Sequence, residues 1–281
     1  MNLLMVGTGK GSWTVRGVQL GAALGARVRI QPTHEDFVWA DLVVFVKRVE
    51  DQQLRPAHQL RKPIVWDALD FWDQPEHNAL TESEALELLQ AHIARIRPVL
   101  TIGATEAMAK ACGGAYLPHH SWQGLTPAAA RDVVTTVVYE GKRKHLGRWG
   151  KAVQSECARR DWAFVINPPD LRAADIIVAF RDGQWDGWMC QQWKSGVKLV
   201  NAIAAGRPIV TQPSAAMREL WPDGNFINSM ADLSGCFDLW AQYSYRQACV
   251  ERANTLASAL TLESVAAQYR RILSAHLERA A

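Results

Sequence analysis

The sequence predicts an α/β fold of two similar units, each a parallel sheet with helices on both faces, followed by a helical tail. The first half alternates short β-rich runs with helical runs, a rhythm typical of βαβ units. Glycine and proline interrupt this pattern at 124–127, after which the same alternation begins again. From residue 230 onward the chain is predicted to be helical, with apolar residues at helical spacing over 263–277.

Each unit can be divided into elements by the period of its apolar residues and by the turn residues between them. In the first unit, the predicted strands are 2–6, 27–31, 41–47, 63–67, 99–102 and 115–117, and the predicted helices are 15–24, 83–97 and 106–110. In the second unit, the predicted strands are 133–139, 163–166, 176–180, 208–211 and 225–227, and the predicted helices are 147–160, 198–205 and 215–220.

Size and composition favour a globular protein with a substantial core. The chain has 281 residues, of which 48% are hydrophobic, enough for two modest domains or one large one. No run of about 18 apolar residues is present, so we expect no membrane span. Residues 1–7 are predicted to form a strand that enters a glycine turn instead of a secretory signal. We therefore expect a cytoplasmic protein, located in the host cytoplasm if its source is a virus.

The cysteines favour reduced thiols over a zinc site. The five cysteines are scattered, odd in number and never spaced as Cys-x-x-Cys. A packing role is expected for them, and no metal is expected. The net charge is only +3, so attraction to a polyanion must come from local clustering of basic residues.

The segment 194–210 is predicted to form a loop, a helix and a strand in succession. Ser195 and Gly196 end the loop with free backbone N–H groups, and Gly206 can stop the helix. Lys194 and Lys198 bracket the N-terminus of the helix, where the helix dipole also places partial positive charge. The sequence therefore predicts a diphosphate site here, although an ordinary amphipathic helix with surface lysines is the alternative.

This segment resembles the donor-binding helix of GT-B glycosyltransferases, in which a run like K-L-x-E-A-x-A-A-G-x-P-V-V holds the nucleotide-sugar. Lys198-Leu199 and residues 202–206 match this run, whereas Asn201 stands where most of these enzymes keep a ribose-binding glutamate. An amide can still exchange hydrogen bonds with sugar hydroxyls. The resemblance covers the second half well, from the strand before Gly141 to about Gly224, and the first half loosely.

The resemblance implies the GT-B arrangement of two Rossmann-like domains. Residues 1–125 would form the acceptor domain and 126–260 the nucleotide-sugar donor domain. The C-terminal helix, 261–281, would pack back on the first domain.

Loops that follow parallel strands are where ligands bind in such folds, and the first of these is the glycine turn at 7–13. As a dinucleotide fingerprint the turn fails, because Ser12 replaces the third glycine and no ribose-binding acid ends the second strand. In the GT-B interpretation, Gly9, Gly11 and Ser12 face the sugar and acceptor across the cleft. A tight βα turn without a function is the alternative.

A second loop, 66–73, places three carboxylates beside aromatic rings at the end of a strand. A partly desolvated carboxylate can act as a general base toward an acceptor hydroxyl. We expect Asp70, and next Asp67, to be catalytic, with Trp72 in the cleft. The alternative is that one of these aspartates caps the following segment.

Two further loops carry candidates for the donor site. The resemblance implies that Lys142 or Arg143 contacts the diphosphate, and that the loop 180–188, with Arg181, contacts the donor. His119 and His120 are adjacent, so in a strand they would point to opposite faces and would not share a metal ion. We expect one of them, His119, to line the cleft between the domains.

Together with these residues, the resemblance implies a glycosyltransferase, of the hexose-transferring kind, that uses a nucleotide-sugar as co-substrate and has no tightly bound cofactor. A UDP-sugar is the expected donor. Lys198, Ser195 and Gly196, helped by Arg143, would hold the diphosphate, and Asn201 would meet the ribose. Whether the sugar configuration is inverted or retained stays open.

The acceptor and two other functions also stay open. The basic run at 142–151, the twelve tryptophans and the compact size are similar to those of phage-type glucosyltransferases that modify 5-hydroxymethylpyrimidines in double-stranded DNA. A glycan or a small molecule is an alternative acceptor. A non-catalytic nucleotide-binding protein is the alternative function, and a nicotinamide-dependent oxidoreductase is a third, weakened by the broken fingerprint.

Overall fold

The computed structural model describes residues 1–9, 12–222 and 224–280. Gly11, one of the predicted cleft residues, lies outside the described residues. Two parallel sheets organise the rest of the chain. The first contains β1 (Leu3–Val6), β2 (Arg27–Arg29), β3 (Leu42–Val46), β4 (Ile64–Asp67), β5 (Leu100–Gly103) and β6 (Ala115–Tyr116). The second contains β7 (Thr136–Tyr139), β8 (Ala163–Ile166), β9 (Ile176–Ala179) and β10 (Ile209–Thr211).

The order of the strands in each sheet determines which of the loops that follow them lie side by side. The first sheet has the order β2-β1-β3-β4-β5-β6 and the second the order β10-β9-β7-β8, with parallel pairing throughout. The central strands are buried on both faces, which explains their continuous runs of Val, Ile and Leu. The predicted strand at 225–227 reduces to a single bridge between Phe226 and Thr211.

Twelve α-helices occur among the described residues. They are α1 (Leu20–Leu24), α2 (His34–Trp39), α3 (Asp51–Gln59), α4 (Glu82–Ile96), α5 (Glu106–Ala111), α6 (Arg148–Arg159), α7 (Trp188–Gln192), α8 (Val197–Ala205), α9 (Ala215–Leu220), α10 (Leu233–Ala241), α11 (Tyr243–Ala257) and α12 (Leu262–Ala280). A π-helical segment, Trp13–Gln19, precedes α1, so the predicted helix at 15–24 begins with wider turns.

The sequence did not predict α2, α3 and α7. The first two are short, and each begins at a reciprocal side-chain cap, made by Thr33 with Asp36 and by Glu50 with Gln53.

The two faces of the first sheet are partly covered by elements from the second half of the chain. On one face, Val265, Tyr269 and Leu273 of α12 join the core of the first lobe, as the GT-B arrangement implies. On the other face, Met189 and Trp193, in and just after α7, pack with that lobe's own core. The segment 188–193 therefore connects the two lobes, although its sequence lies in the second half.

None of the described helices is long and apolar enough to cross a membrane.

Candidate active site

A cavity of about 130 Å³ lies between the two lobes, where strands β9 and β10 end and α8 begins. Ser12 and Asp70 reach it from the first lobe. Four residues that the argument uses reach it from the second lobe, namely Arg181, Lys194, Ser195 and Lys198. The cavity is thus the cleft that the GT-B interpretation requires, and it contains three side-chain cations.

The N-terminus of α8 opens toward this cavity. Gly196 is the cap residue, and among the described residues no side chain caps this end of the helix. The first-turn N–H groups and the helix dipole therefore add positive character beside the Ser195 side chain. Gly196 itself is buried. A Cβ at this position would lie 2.9 Å from Leu220 Cδ1 of α9, which is too close. A small residue is needed there for α8 and α9 to approach each other.

The three cations raise the positive potential in the cavity. The Lys198 ammonium lies 4.0 Å from the centroid of the Tyr139 ring, and burial together with nearby Arg181 lowers the pKa of Lys198 to about 7. Burial also lowers the pKa of Lys194, although Asp70 opposes this shift. Next to them, burial and the charges of Arg181 and Lys198 lower the pKa of His145 to about 4. A bound anion would relieve this crowding of positive charge.

Asp70 links the lobes through one of its carboxylate oxygens. Its Oδ2 atom accepts hydrogen bonds from Lys194 Nζ at 2.9 Å, Lys47 Nζ at 3.0 Å and Gln74 Nε2 at 3.2 Å. Burial acts to raise the pKa of Asp70, but the Lys194 and Lys47 ammonium groups outweigh it and hold this pKa well below its usual value. The Oδ1 atom has no hydrogen-bond partner among the described residues. Asp70 is therefore held as a carboxylate by the two ammonium groups, and its second oxygen is buried without a hydrogen-bond partner in the described part of the chain.

Asp67 occupies a different environment, three residues earlier. Its side chain is fully buried, and its Oδ2 atom pairs with Arg16 Nε at 2.8 Å. Arg16 also donates to the carbonyl oxygens of Leu117 at 2.9 Å and Pro118 at 2.7 Å. Burial, opposed by Arg16, raises the pKa of Asp67. This ion pair ties the π-helical segment to β4 and to the chain after β6, and Asp67 does not line the cavity.

The structure does not bring Lys142 and Arg143 into the cavity. Both side chains are exposed, and Arg143 Nη2 donates to Gln154 Oε1 at 3.2 Å. Arg181 lines the cavity, and its guanidinium donates to the Trp185 carbonyl oxygen at 3.3 Å. The cations at the cavity come from the loop after β9, from the loop before α8 and from α8 itself.

Asn201 is fully buried, and its amide is already occupied. Its Nδ2 atom donates to Glu140 Oε2 at 3.1 Å and Oε1 at 3.2 Å, while its Oδ1 atom accepts from the Trp122 backbone N–H at 3.1 Å. Next to Asn201, Glu140 is half-buried and Trp122 is exposed. The sequence analysis missed Glu140, although its position directly after strand β7 is the kind of place where site residues occur.

The remaining predicted cleft residues separate into one that lines the cavity and three that do not. Ser12 lines it. Trp72 is buried in the first core, where its Nε1 donates to Asn78 Oδ1 at 2.9 Å. His119 is buried, neither ring nitrogen has a partner in the described part of the chain, and burial together with Arg16 holds its pKa well below the usual value. Gly9 takes a left-handed φ of 73° and lies against Ile30.

The two acidic residues of the loop before α7 differ in whether they are paired with a basic side chain or line the cavity. Asp182 accepts two hydrogen bonds from the Arg148 guanidinium, both at 2.9 Å, and these hold the pKa of Asp182 at about 2. Asp186 lines the cavity. Within the described ranges, no group of three or more His, Cys, Asp or Glu side chains is arranged to hold a metal ion.

Comparison with known proteins identifies the fold. No protein-family model matches the chain, and none of the curated proteins matches it significantly. Among solved structures, the chain is similar to α,α-trehalose 6-phosphate synthase from Burkholderia multivorans, with a TM-score of 0.61 and 11% identity over 100% of both chains. It is also similar to the UDP-forming α,α-trehalose-phosphate synthase from Burkholderia vietnamiensis, with a TM-score of 0.59 and 11% identity over 98% of this chain and 100% of that one.

A third similar structure is the spinosyn rhamnosyltransferase SpnG, with a TM-score of 0.54 and 13% identity over 96% of this chain and 99% of that one. These neighbours are GT-B glycosyltransferases. At such low identity the likeness defines the fold class, and the chain has the GT-B fold of two Rossmann-like domains with a helical C-terminal region.

Proposed function

We propose that the chain is a glycosyltransferase that moves a sugar from a UDP-sugar to an acceptor hydroxyl in the cleft between its lobes. The observation that carries this proposal is the convergence of Arg181, Lys194, Lys198 and the uncapped N-terminus of α8 on one cavity. This arrangement fits a diphosphate, which offers several oxygens to several donors at once. A solved neighbour described as UDP-forming supports the choice of UDP as the leaving nucleotide.

The cations would act on the leaving group. As the bond between the sugar and the diphosphate breaks, negative charge grows on the phosphate oxygens. Lys194 and Lys198 are fixed by their contacts with Asp70 and with the Tyr139 ring, so they need little reorganisation to stabilise that charge. Ser195 would add a hydroxyl donor at the same end of the helix.

Asp70 would act on the acceptor. We propose that its Oδ1 atom, which is buried and unpaired among the described residues, accepts a hydrogen bond from an acceptor hydroxyl when the acceptor enters the cleft, while Oδ2 keeps Lys194 in place. Because its pKa is held well below the usual value, Asp70 is a weak base in the ground state. In an inverting reaction we propose that it orients the hydroxyl and takes the proton late, when the oxygen has begun to bond to the sugar. Asp67 would have a structural role, because its ion pair keeps the buried Arg16 guanidinium in place.

Release of nucleoside diphosphate tests the proposal. Incubation with a panel of nucleotide-sugars and candidate acceptors should release the diphosphate, and Lys194→Met or Lys198→Met should reduce release at least about hundredfold. Lys110→Met on α5 is a matched control, because Lys110 is exposed and lies in a different element. Tight binding of the nucleotide-sugar without release under any condition would indicate a non-catalytic binder. Absence of binding would contradict the proposal altogether.

A DNA acceptor is supported by one further observation. Five basic side chains on the loop and helix after β7 are exposed, and they are Lys142, Arg143, Lys144, Arg148 and Lys151. Lys144 Nζ lies 4.5 Å from the ring centroid of Trp185, on the loop that leads to the cavity. We propose that this surface binds double-stranded DNA whose 5-hydroxymethylpyrimidine bases accept the sugar.

An electrophoretic mobility shift with duplex DNA that weakens steeply with salt, and that is lost when these five residues are replaced by alanine, would support the DNA acceptor. Transfer to a glycan or a small molecule without any such shift would exclude it.

A further inference from the structure

We infer that a second cavity beside the diphosphate site holds the nucleoside of the donor, with the Glu140 carboxylate bound to the ribose hydroxyls and Trp122 against the base. This inference rests on the proposed function. The cavity measures about 510 Å³, a size that suits a ligand of nucleoside dimensions. Residues that line it and enter the argument are Trp122, Glu140 and Asn167.

Glu140 is held as a positioned anion at one end of this cavity. The Asn201 amide donates to both of its oxygens at 3.1 and 3.2 Å, and Trp122 Nε1 donates to Oε1 at 3.2 Å. A carboxylate has about four acceptor positions, so these donors leave at least one position on Oε2. A hydroxyl donor, as on ribose, is the complementary ligand group for this position. Asn201 therefore acts as a positioning residue for Glu140.

Gly141 connects a residue of one cavity with a residue of the other. Lys198 lines the diphosphate cavity, Glu140 lines the second one, and Gly141 directly follows Glu140 and approaches Lys198. Gly141 has a φ of 137°, and a Cβ at this position would lie only 3.3 Å from Lys198 Nζ. Its N–H donates to Asn167 Oδ1 at 2.6 Å and its carbonyl accepts from Asn167 Nδ2 at 3.1 Å. A ligand can thus pass over this fixed, side-chain-free backbone from one cavity to the other.

Trp122 gives the second cavity an aromatic wall. Its side chain is 39% exposed, which is unusual for a ring of this size, and its indole N–H is already bonded to Glu140. The exposed part of this aromatic side chain lines the cavity, and we infer that a nucleobase stacks on it. The charged and aromatic groups therefore match, in order, the diphosphate, the ribose and the base of a nucleoside diphosphate.

Calorimetric titration with three probes tests the inference. The probes are the nucleoside diphosphate that binds tightest among UDP, GDP, ADP and CDP, its 2′,3′-dideoxy analogue, and inorganic pyrophosphate. Wild-type protein should bind the ribonucleotide about tenfold more tightly than the dideoxy analogue, because only the former can donate to Glu140. Glu140→Gln should remove this difference and leave pyrophosphate binding unchanged.

Two further variants separate local from global effects. Trp122→Leu should weaken the ribonucleotide and the dideoxy analogue alike by about tenfold, and pyrophosphate not at all. Glu87→Gln, an exposed glutamate of α4, is the matched control and should change nothing. Thermal unfolding of each variant would show that it is folded.

The outcomes distinguish the inference from the proposed function. If the ribonucleotide binds but the dideoxy analogue binds equally well, or if Glu140→Gln keeps the preference for ribose, the inference is overturned and the proposed function stands. If no nucleoside diphosphate binds wild-type protein, the proposed function fails first and the inference fails with it.

Discussion

Donor binding should weaken as the pH rises above about 7, because Lys198 must carry a proton to bind a diphosphate. In the free protein its pKa is about 7, so at about pH 9 only about 1% of the molecules carry the ammonium. A bound diphosphate favours the charged form and raises the pKa of Lys198, so binding takes up a proton. Each pH unit above the free pKa then costs about 1.4 kcal/mol, or a factor of ten in affinity.

The expected loss between about pH 6 and about pH 9 is therefore up to about a hundredfold, reached if the pKa in the complex exceeds 9. Isothermal titration with UDP-glucose measures it, since the esterified diphosphate of this probe keeps its charge across the range. Titrations in buffers of different ionisation enthalpy should show uptake of one proton at about pH 8. In the free protein His145, whose pKa is about 4, stays neutral across this range.

Substitution of Lys198 assigns the effect to this side chain. Lys198→Arg should keep the charge and flatten the pH dependence. Lys198→Met should bind weakly at every pH in the range. An affinity of the wild-type protein that stays constant from pH 6 to 9, or the same slope in Lys198→Arg, would refute the reasoning.

Three further substitutions separate the roles of neighbouring residues. Asp67→Asn should lower the free energy of unfolding by about 3 kcal/mol, because it leaves the buried Arg16 guanidinium without its counter-charge. A denaturant titration measures this loss, and a loss below about 1 kcal/mol would contradict the prediction. Asp70→Asn should lower turnover at least about hundredfold, because it removes the carboxylate that acts on the acceptor, and should weaken donor binding much less, because the asparagine oxygen can still accept a hydrogen bond from Lys194. Unchanged turnover would exclude Asp70 as the group that acts on the acceptor. Gly141→Ala should weaken UDP-glucose binding about tenfold in the isothermal titration, because the φ of 137° is strained for alanine and its Cβ would crowd Lys198. Equal affinity would contradict the inference that the donor passes over Gly141.

Much of the fold could be predicted because it depends on local patterns. The buried strands are continuous apolar runs, and α8 begins after Gly196 and ends at Gly206, as expected from the sequence. Helices α2 and α3 were missed because each has fewer than ten residues, too few to show a clear helical period.

The candidate site was less predictable because it depends on long-range contacts. Asp67 and Asp70 stand three residues apart in one aromatic segment, yet only the fold shows that the first faces Arg16 and the second faces Lys194. The partnership of Asn201 with Glu140 spans 61 positions of the sequence, so no local motif indicates it. The resemblance implied that Asn201 contacts the donor, whereas in the structure Asn201 holds Glu140 in position.

Long-range contacts also decide which basic residues line the cavity. Lys142 and Arg143 follow a strand as site residues often do, but their side chains turn to the surface. Lys194 reaches the cavity because α7 packs against the core of the first lobe and brings the following loop to Asp70. That packing could not be read from the segment itself, whose tryptophans are equally compatible with a core of the second lobe.

A structure of the protein with an intact nucleotide-sugar bound tests the central claim most directly. We predict diphosphate oxygens within hydrogen-bonding distance of Lys194 Nζ, Lys198 Nζ and the first N–H groups of α8, with the sugar directed toward Asp70. A diphosphate bound instead at the exposed Lys142 and Arg143 side chains, with the cleft between the lobes left empty, would contradict the account.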